Sequence, residues 1–173
     1  NCDTVVFDKT GTLTEGVFHV SKINSKVDET EFFKVASIAE MYSNHPIAKS
    51  IVSAYKGDTE LTVSEAEEIA GFGLKAVVNG KTVICSNAAY MRNNNIEVDD
   101  ESDVLTAVYV SVDGKYVGKI LLGDEIKETS AEALRKLKNC GIKKTVILTG
   151  DKIAIAESVG KQVGIDEIKA QLL

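Results

Sequence analysis

Two short apolar runs, one near each end of the chain, constrain the fold more than any other feature of the sequence. The first, Thr4-Val5-Val6-Phe7, stops at Asp8, and the second, Thr145-Val146-Ile147-Leu148, stops at Thr149. Each is rich in β-branched residues and is followed by turn-forming residues, which predicts a buried strand. The carboxyl ends of parallel strands share the ligand-binding edge of a sheet, so we expect Asp8 and Thr149 to meet there.

Helical patterns surround the second run. One covers residues 130–138 and stops at Cys140-Gly141, and another covers residues 154–163 and stops at Gly164. Glycine directly after a periodic segment is a typical helix end. The order strand, helix, strand, helix therefore predicts a parallel α/β sheet built from the two ends of the chain.

The middle of the chain predicts a second, antiparallel α+β domain. Asn79-Gly80 and Asp113-Gly114 each separate two apolar runs, which is the pattern of a β-hairpin. Helical patterns over 31–40 and 46–55 come before the hairpins. The acidic stretch 99–103 between the hairpins is expected to form a polar surface loop.

The segment from Asp8 to Thr14, with the sequence DKTGTLT, carries the strongest functional signal. An aspartate can act as a covalent nucleophile toward a phosphoryl group when N–H groups, hydroxyls and a metal ion meet the phosphoryl charge. Gly11 allows a tight turn with inward-pointing amides, and the Thr10 and Thr12 hydroxyls can donate to phosphate oxygens. A turn that merely ends a strand explains any one of these residues, but not the whole segment.

This segment is identical at seven positions to the signature of the P-type ATPases, and further elements resemble that family in order. They are Ser43-Asn44-His45-Pro46-Ile47-Ala48, Gly71-Phe72-Gly73, Asp124-Glu125-Ile126-Lys127 and Thr149-Gly150-Asp151. The His-Pro element is typical of the heavy-metal subfamily, in which Glu usually stands in place of Asn44. The resemblance implies a partial haloacid-dehalogenase-like parallel sheet, at 1–22 and 123–173, with an inserted nucleotide-binding domain at 23–122.

The resemblance also implies which residues do the chemistry. Asp8 would be phosphorylated by ATP, the Thr149 hydroxyl would contact the phosphoryl group, and Asp124 and Lys127 would serve closure where the two domains join. A helix cap explains the Thr149 segment equally well when that segment is taken alone. Mg²⁺ is expected at the Asp8 carboxylate and the Thr10 carbonyl. The predicted catalytic residues are Asp8, Lys9, Thr10, Thr149, Gly150 and Asp151.

A nucleotide site is predicted in the middle domain, and ATP or ADP is expected to bind there without needing Mg²⁺. By resemblance Glu40 contacts the base, while the His45 ring can stack on adenine or orient the nucleotide. Glycines leave flat backbone against which a nucleotide can lie. Ser86 stands where the family has glycine. The predicted nucleotide-binding residues are Glu40, His45, Gly71, Gly73, Ser86 and Asn87.

Two other function classes compete with a transport ATPase. A free-standing phosphatase of the same superfamily would resemble DxDxT, but Thr10 stands where its second acid would be. A nucleotide-binding module without turnover stays open as a description of this chain in isolation. P-loop NTPases are excluded because the sequence contains no Walker A loop.

Composition narrows the partners. A net charge of −6 and a pI near 5.0 argue against nucleic acid as a partner. The three cysteines form no CxxC pair, so the sequence indicates neither a zinc knuckle nor a disulfide framework. The resemblance implies a cytoplasmic segment of a membrane-embedded pump. The pump's transmembrane and actuator domains, a phosphate-contacting lysine and a Mg²⁺-binding GDGxND loop would lie outside this sequence. The resemblance to the family favours zinc, cadmium, lead or cobalt over copper as the exported cation.

Overall fold

The computed structural model describes residues 2–99 and 104–171, which divide into two compact units. The first comprises residues 2–17, 104 and 124–171, and the second comprises residues 18–99 and 105–123. Two long strands, β2 (Thr14–Ser25) and β7 (Lys115–Ile126), run across these divisions. Most of the predicted acidic loop, residues 100–103, lies outside the described residues.

The first unit contains the predicted parallel sheet, with a third strand that was not predicted. The first strand is exposed or half-buried along its length, not buried as expected. β1 (Thr4–Asp8) pairs with β8 (Lys144–Leu148), and β8 pairs with β9 (Glu167–Lys169). Two helices accompany the sheet, α4 (Ser130–Asn139) and α5 (Ile153–Val163). The register sets Asp8 opposite Leu148, so Asp8 ends β1 and Thr149 directly follows β8 at the same edge of the sheet. Buried apolar side chains form the core, namely Leu13, Leu134, Ile147, Val159 and Val163.

The second unit is built on a six-stranded sheet with the order β2-β7-β6-β5-β4-β3. Its remaining strands are β3 (Val63–Ile69), β4 (Gly73–Val78), β5 (Lys81–Ser86) and β6 (Thr106–Val112), and β3 to β7 pair antiparallel in sequence order. Both predicted hairpins are confirmed. Asn79 and Asp113 have φ of 48° and 49° before glycines with positive φ, the backbone that two-residue hairpin turns require.

Three helices belong to the second unit: α1 (Glu29–Glu40), α2 (Pro46–Ala54) and α3 (Ala88–Asn93). α1 begins two residues before the predicted start, because the Asp28 side chain accepts a hydrogen bond from the Glu31 N–H and caps the helix there. Pro46 occupies the first turn of α2, where its missing N–H costs nothing.

Among residues 2–99 and 104–171, no helix has the length and apolar character needed to cross a membrane.

Candidate active site

β1 delivers the Asp8 side chain to the carboxyl edge of the parallel sheet, where it is exposed. Lys9–Leu13 follow as a wide turn that leaves helical geometry at Thr10 (φ −76°, ψ 126°) and Gly11 (φ 77°, ψ −12°). Thr10, Gly11 and Thr12 are also exposed. The candidate nucleophile is therefore accessible and is followed by a loop with two accessible hydroxyl groups.

Lys9 is the buried member of this turn, with only 2% of its surface exposed. Its Nζ lies 2.8 Å from Asp151 Oδ2 and 3.7 Å from Asp124 Oδ2. Asp124 also accepts hydrogen bonds from the Thr14 hydroxyl and from the Gly16 N–H. The ammonium group thus joins the loop after β1 to β7 and to the loop after β8.

Two further side chains hold the loop from α4 and the segment before it. Lys127 Nζ donates to the Gly11 carbonyl at 2.7 Å, and the Ser130 hydroxyl donates to the Leu13 carbonyl at 2.8 Å. The Asp124 and Lys127 side chains, expected to serve closure between domains, therefore bind the loop after Asp8 itself. The Gly11 N–H donates to the Thr14 hydroxyl, so this amide, expected to point toward a phosphate, is used inside the loop.

Thr149, Gly150 and Asp151 form a compact turn after β8. The Thr149 hydroxyl donates to Asp151 Oδ2 at 3.1 Å and accepts from the Asp151 N–H at 3.2 Å. α5 begins only at Ile153, and its N-cap residue is Lys152. The alternative interpretation of Thr149 as a helix cap is therefore wrong, because Thr149 lies too far from the first turn of α5 to cap it.

Mg²⁺ is held in proteins by one or two carboxylates, with phosphates and waters completing its octahedral shell of oxygens. The Asp8 carboxylate and the Thr10 carbonyl are oxygen donors of this kind on exposed residues. Asp124 and Asp151 are instead paired with Lys9. Within the described part of the chain, no three His, Cys, Asp or Glu side chains cluster as a metal site. The residues present therefore fit a Mg²⁺ ion that is shared with a bound phosphate.

The second unit contains a cavity of about 420 Å³ that is lined by all six residues predicted to bind the nucleotide. Its volume is typical of sites for small molecules. The described residues that line it include two acids, Glu40 and Glu68, and no lysine or arginine. Such a lining suits the base and the ribose of a nucleotide better than its phosphates.

His45 is exposed at the mouth of this cavity and is the N-cap of α2. Its Nδ1 accepts a hydrogen bond from the Ile47 N–H at 3.2 Å. Glu68, which sequence reasoning missed, accepts from the Asn44 N–H at 2.9 Å and so holds the segment before the helix. Because it accepts the Ile47 N–H, the His45 ring stabilises the start of α2 in addition to lining the cavity.

The inner wall of the cavity contains a second residue that sequence reasoning missed, Cys85. Its side chain is 1% exposed and lies beside the Glu40 carboxyl group, which is only 6% exposed. Desolvation by burial raises the pKa of Glu40 to about 7, and the nearby Glu68 charge acts in the same direction. Burial also raises the pKa of the Cys85 thiol well above its usual range. A buried polar pair thus lies inside the cavity, and no pattern of residues along the sequence indicated it.

The two glycines of Gly71-Phe72-Gly73 have different structural roles. A Cβ atom on Gly73 would lie 2.0 Å from the Cys85 carbonyl oxygen and 2.7 Å from the Ser86 Cα, because β4 and β5 pair there. A Cβ on Gly71 would meet nothing within 4 Å. Asn87 caps α3 through its side-chain oxygen, and its amide nitrogen lies 3.4 Å from the Gly71 carbonyl.

We expect Gly73→Ala to destabilise the second unit by about 3 kcal/mol or more, since the clash is with backbone atoms that no rotamer change can relieve. Gly71→Ala is the matched control. Its φ of 77° adds strain of only about 1–2 kcal/mol. Chemical denaturation followed through amide resonances of β4 and β5 measures both effects. Equal losses of stability in the two variants would show that the close approach of β5 is not the reason why position 73 requires glycine.

A larger cavity of about 540 Å³ lies at the other end of the same strands, near the turn between β4 and β5. Its lining is mostly aliphatic and includes Val78, Val110 and Val112. None of the residues predicted to bind the nucleotide lines it. The smaller cavity, which is lined by all six of those residues, is therefore the stronger candidate for nucleotide binding.

Comparison with known proteins places these features in a family context. A family model described as haloacid dehalogenase-like hydrolase matches residues 2–172. The chain is 46% identical to the zinc-transporting ATPase of Synechocystis sp. (strain PCC 6803), over 98% of the chain and 24% of that protein. It is 44% identical to the cadmium, zinc and cobalt-transporting ATPase of Bacillus subtilis (strain 168), over 97% of the chain and 24% of that protein. The chain thus spans about a quarter of the length of these curated relatives.

A solved structure of the catalytic domain of the CPx-ATPase CopB-B, reported for its conformational changes upon nucleotide binding, resembles the whole chain. The TM-score is 0.77 at 30% sequence identity, over 99% of this chain and 62% of that structure. The similarity therefore extends over both compact units.

Proposed function

Because this chain belongs to the haloacid dehalogenase-like hydrolase family, we propose that it is the ATP-binding and phosphorylation core of a heavy-metal-exporting P-type ATPase. The observation that carries the proposal is the exposed Asp8 at the carboxyl end of β1, followed by a loop that Lys9, Asp124 and Asp151 hold in place. Relatives that are P-type ATPases for heavy metals support it.

In the proposed reaction an Asp8 carboxylate oxygen attacks the γ-phosphorus of ATP. The bond from the γ-phosphorus to its bridging oxygen breaks, ADP leaves with the electron pair, and an acyl phosphate remains on Asp8. The Thr10 and Thr12 hydroxyls can donate to the phosphoryl oxygens. Thr149, which also has a hydroxyl group, directly follows the neighbouring strand β8. Bound Mg²⁺ would neutralise charge on the phosphates.

Thr10 explains why the acyl phosphate would persist. Hydrolysis needs a general base close to the phosphoryl group to activate water. The position two residues after Asp8 is where related phosphatases have that acid, and here it has a threonine hydroxyl, which is no base near neutral pH. A phosphoenzyme that hydrolyses slowly can couple its breakdown to cation movement.

The cargo and the partners belong to the same proposal. Relatives named for zinc, and for cadmium, zinc and cobalt, support a cation of this group over copper. We propose that the chain works as the cytoplasmic part of a membrane-embedded pump, together with transmembrane and actuator domains. ATP is the substrate and Mg²⁺ the cofactor in this scheme.

The first test concerns the nucleotide site. ATP and ADP are expected to bind the second unit weakly and without Mg²⁺, since the cavity residues suit the base and ribose. Titration followed by amide chemical shifts should perturb the residues around the 420 Å³ cavity equally with and without EDTA. Binding that vanished in EDTA, or shifts confined to the loop after Asp8, would contradict this assignment.

Substitution of His45 must separate its capping role from its contact with the nucleotide. His45→Ala removes the cap of α2 and is expected to cost about 0.5–2 kcal/mol of stability as well as affinity. Asn is a good N-cap residue, so His45→Asn should keep the helix while removing the ring. Weaker ATP binding in His45→Asn at unchanged stability would assign the ring to the nucleotide. Unchanged binding would leave His45 as a cap alone.

A further inference from the structure

We infer that Glu40, buried beside the Cys85 thiol, reads the nucleotide base as a neutral carboxylic acid, so that adenine binding takes up a proton at and above neutral pH. This inference rests on the nucleotide-binding function proposed above. It adds Cys85 as a positioning residue and assigns the protonation state in which Glu40 meets the base. Both residues line the same cavity of about 420 Å³.

The position of Glu40 favours the neutral form. Glu40 is the last residue of α1 and is 6% exposed, while Cys85 lies on β5 and is 1% exposed. No described lysine, arginine or histidine lies within ion-pair distance of Glu40. A carboxylate buried without a cation is costly, and the usual outcome is that the group takes up a proton.

The groups that face Glu40 come from every element around it. β5 contributes the Cys85 thiol, β3 contributes Glu68, and the start of α2 contributes His45. β4 contributes only Gly73 to the cavity lining. Burial and the Glu68 charge both raise the pKa of Glu40, to about 7, and the adjacent Cys85 thiol opposes them in part. Cys85 stays a thiol near neutrality because burial raises its own pKa.

Adenine matches a carboxylic acid better than a carboxylate. Its exocyclic amino group is a donor, and a ring nitrogen beside it is an acceptor, on either edge of the base. A carboxylate can only accept, so it leaves the ring nitrogen facing a negative oxygen. A carboxylic acid accepts from the amino group and donates to the ring nitrogen. The base would therefore select the protonated form of Glu40.

The linkage has a defined sign. Below the pKa of about 7 the free site is already protonated, so affinity for the base should not depend on pH. Above this pKa the fraction of free protein with a protonated Glu40 falls. The apparent Kd should therefore rise about tenfold between pH 6 and pH 8. At pH 8 binding should take up about one proton.

Isothermal titration of the whole chain with AMP, in two buffers of different ionisation enthalpy, measures affinity and proton uptake together. Glu40→Gln is the informative variant, because an amide also offers one acceptor and one donor to adenine. It should retain binding at pH 6 while losing both the pH dependence and the proton uptake. Glu40→Gln leaves His45 in place, so a pH dependence that arises from the imidazole would persist in this variant.

Variants of Cys85 test its positioning role. Cys85→Ala removes the donor that favours the ionised carboxylate, so the pH at which binding weakens should move upward. Cys85→Ser supplies a stronger donor, and that pH should move downward. A merely structural role would change the affinity at all pH values without moving the midpoint.

Three results would overturn the inference. Affinity that is flat or rises between pH 6 and pH 8 would show that Glu40 binds as a carboxylate or makes no contact. Proton uptake that persists in Glu40→Gln would assign the proton to another group. Absence of AMP binding at every pH would reject the nucleotide site itself, and this inference with it. The first two results leave the proposed nucleotide site intact.

Discussion

Lys9→Met is expected to destabilise the first unit by about 3–5 kcal/mol, the usual cost of removing one partner from a buried ion pair. Methionine fills a similar volume but leaves Asp124, whose side chain is 3% exposed, without its cation. Asp151 loses its 2.8 Å contact as well. Denaturation followed through the amide resonances of β1 and β8 measures the loss.

Lys143→Met is the matched control for this substitution. Lys143 pairs with Asp3 in the same unit, but the two side chains are 76% and 55% exposed, and exposed pairs contribute about 0–1 kcal/mol. Adding Asp124→Asn to Lys9→Met should restore part of the loss, since the two residues are in contact. Equal small effects for Lys9 and Lys143 would show that the buried ammonium does not hold the loop.

Asp8→Asn is expected to have the largest effect on function. An amide oxygen is a poor nucleophile, so cation-stimulated ATP hydrolysis by the full-length protein should fall to background, by at least about 10³-fold. ATP binding should not change, because the cavity that we assign to the nucleotide lies in the second unit. Asp8→Glu should also be inactive, since its carboxylate is displaced by a methylene group and small misplacements are costly.

Glu15→Gln provides a matched control, as Glu15 is an exposed acid seven residues further along the chain. Its substitution should leave hydrolysis within a factor of about two, as expected for a surface change away from any buried contact. Substantial hydrolysis by Asp8→Asn would mean that water attacks ATP directly and that the proposed covalent step is wrong.

The fold was predictable wherever local chemistry decides structure. β1 and β8 are short β-branched runs, and both hairpins have Asn-Gly or Asp-Gly turns, which few other backbones accommodate. β3 was missed because its sequence, VSEAEEI, is acidic and its central residues are exposed. Among the described strands it lies at the edge of the sheet and pairs with β4. Pairing with a neighbour, and not its own pattern, makes this segment a strand.

For the candidate site, the sequence motifs predicted which residues lie near one another, but not the contacts that they make. All six residues predicted for the nucleotide lie around one cavity, because their order along the chain follows a known family pattern. Cys85 and Glu68 were missed because neither belongs to a family motif that the sequence shows, and strand pairing brings both to that cavity. The ion pairs of Lys9 with Asp124 and Asp151 join residues more than one hundred positions apart, which no local pattern encodes.

In the proposed cycle Asp8 carries a phosphoryl group from ATP. The most direct measurement is to incubate the full-length protein with γ-labelled ATP, Mg²⁺ and Zn²⁺, quench in acid, and map the label by peptide sequencing. We predict a hydroxylamine-labile label on the peptide that contains Asp8, and none in Asp8→Asn. A label on another residue, or cation-stimulated hydrolysis without any covalent label, would contradict the account.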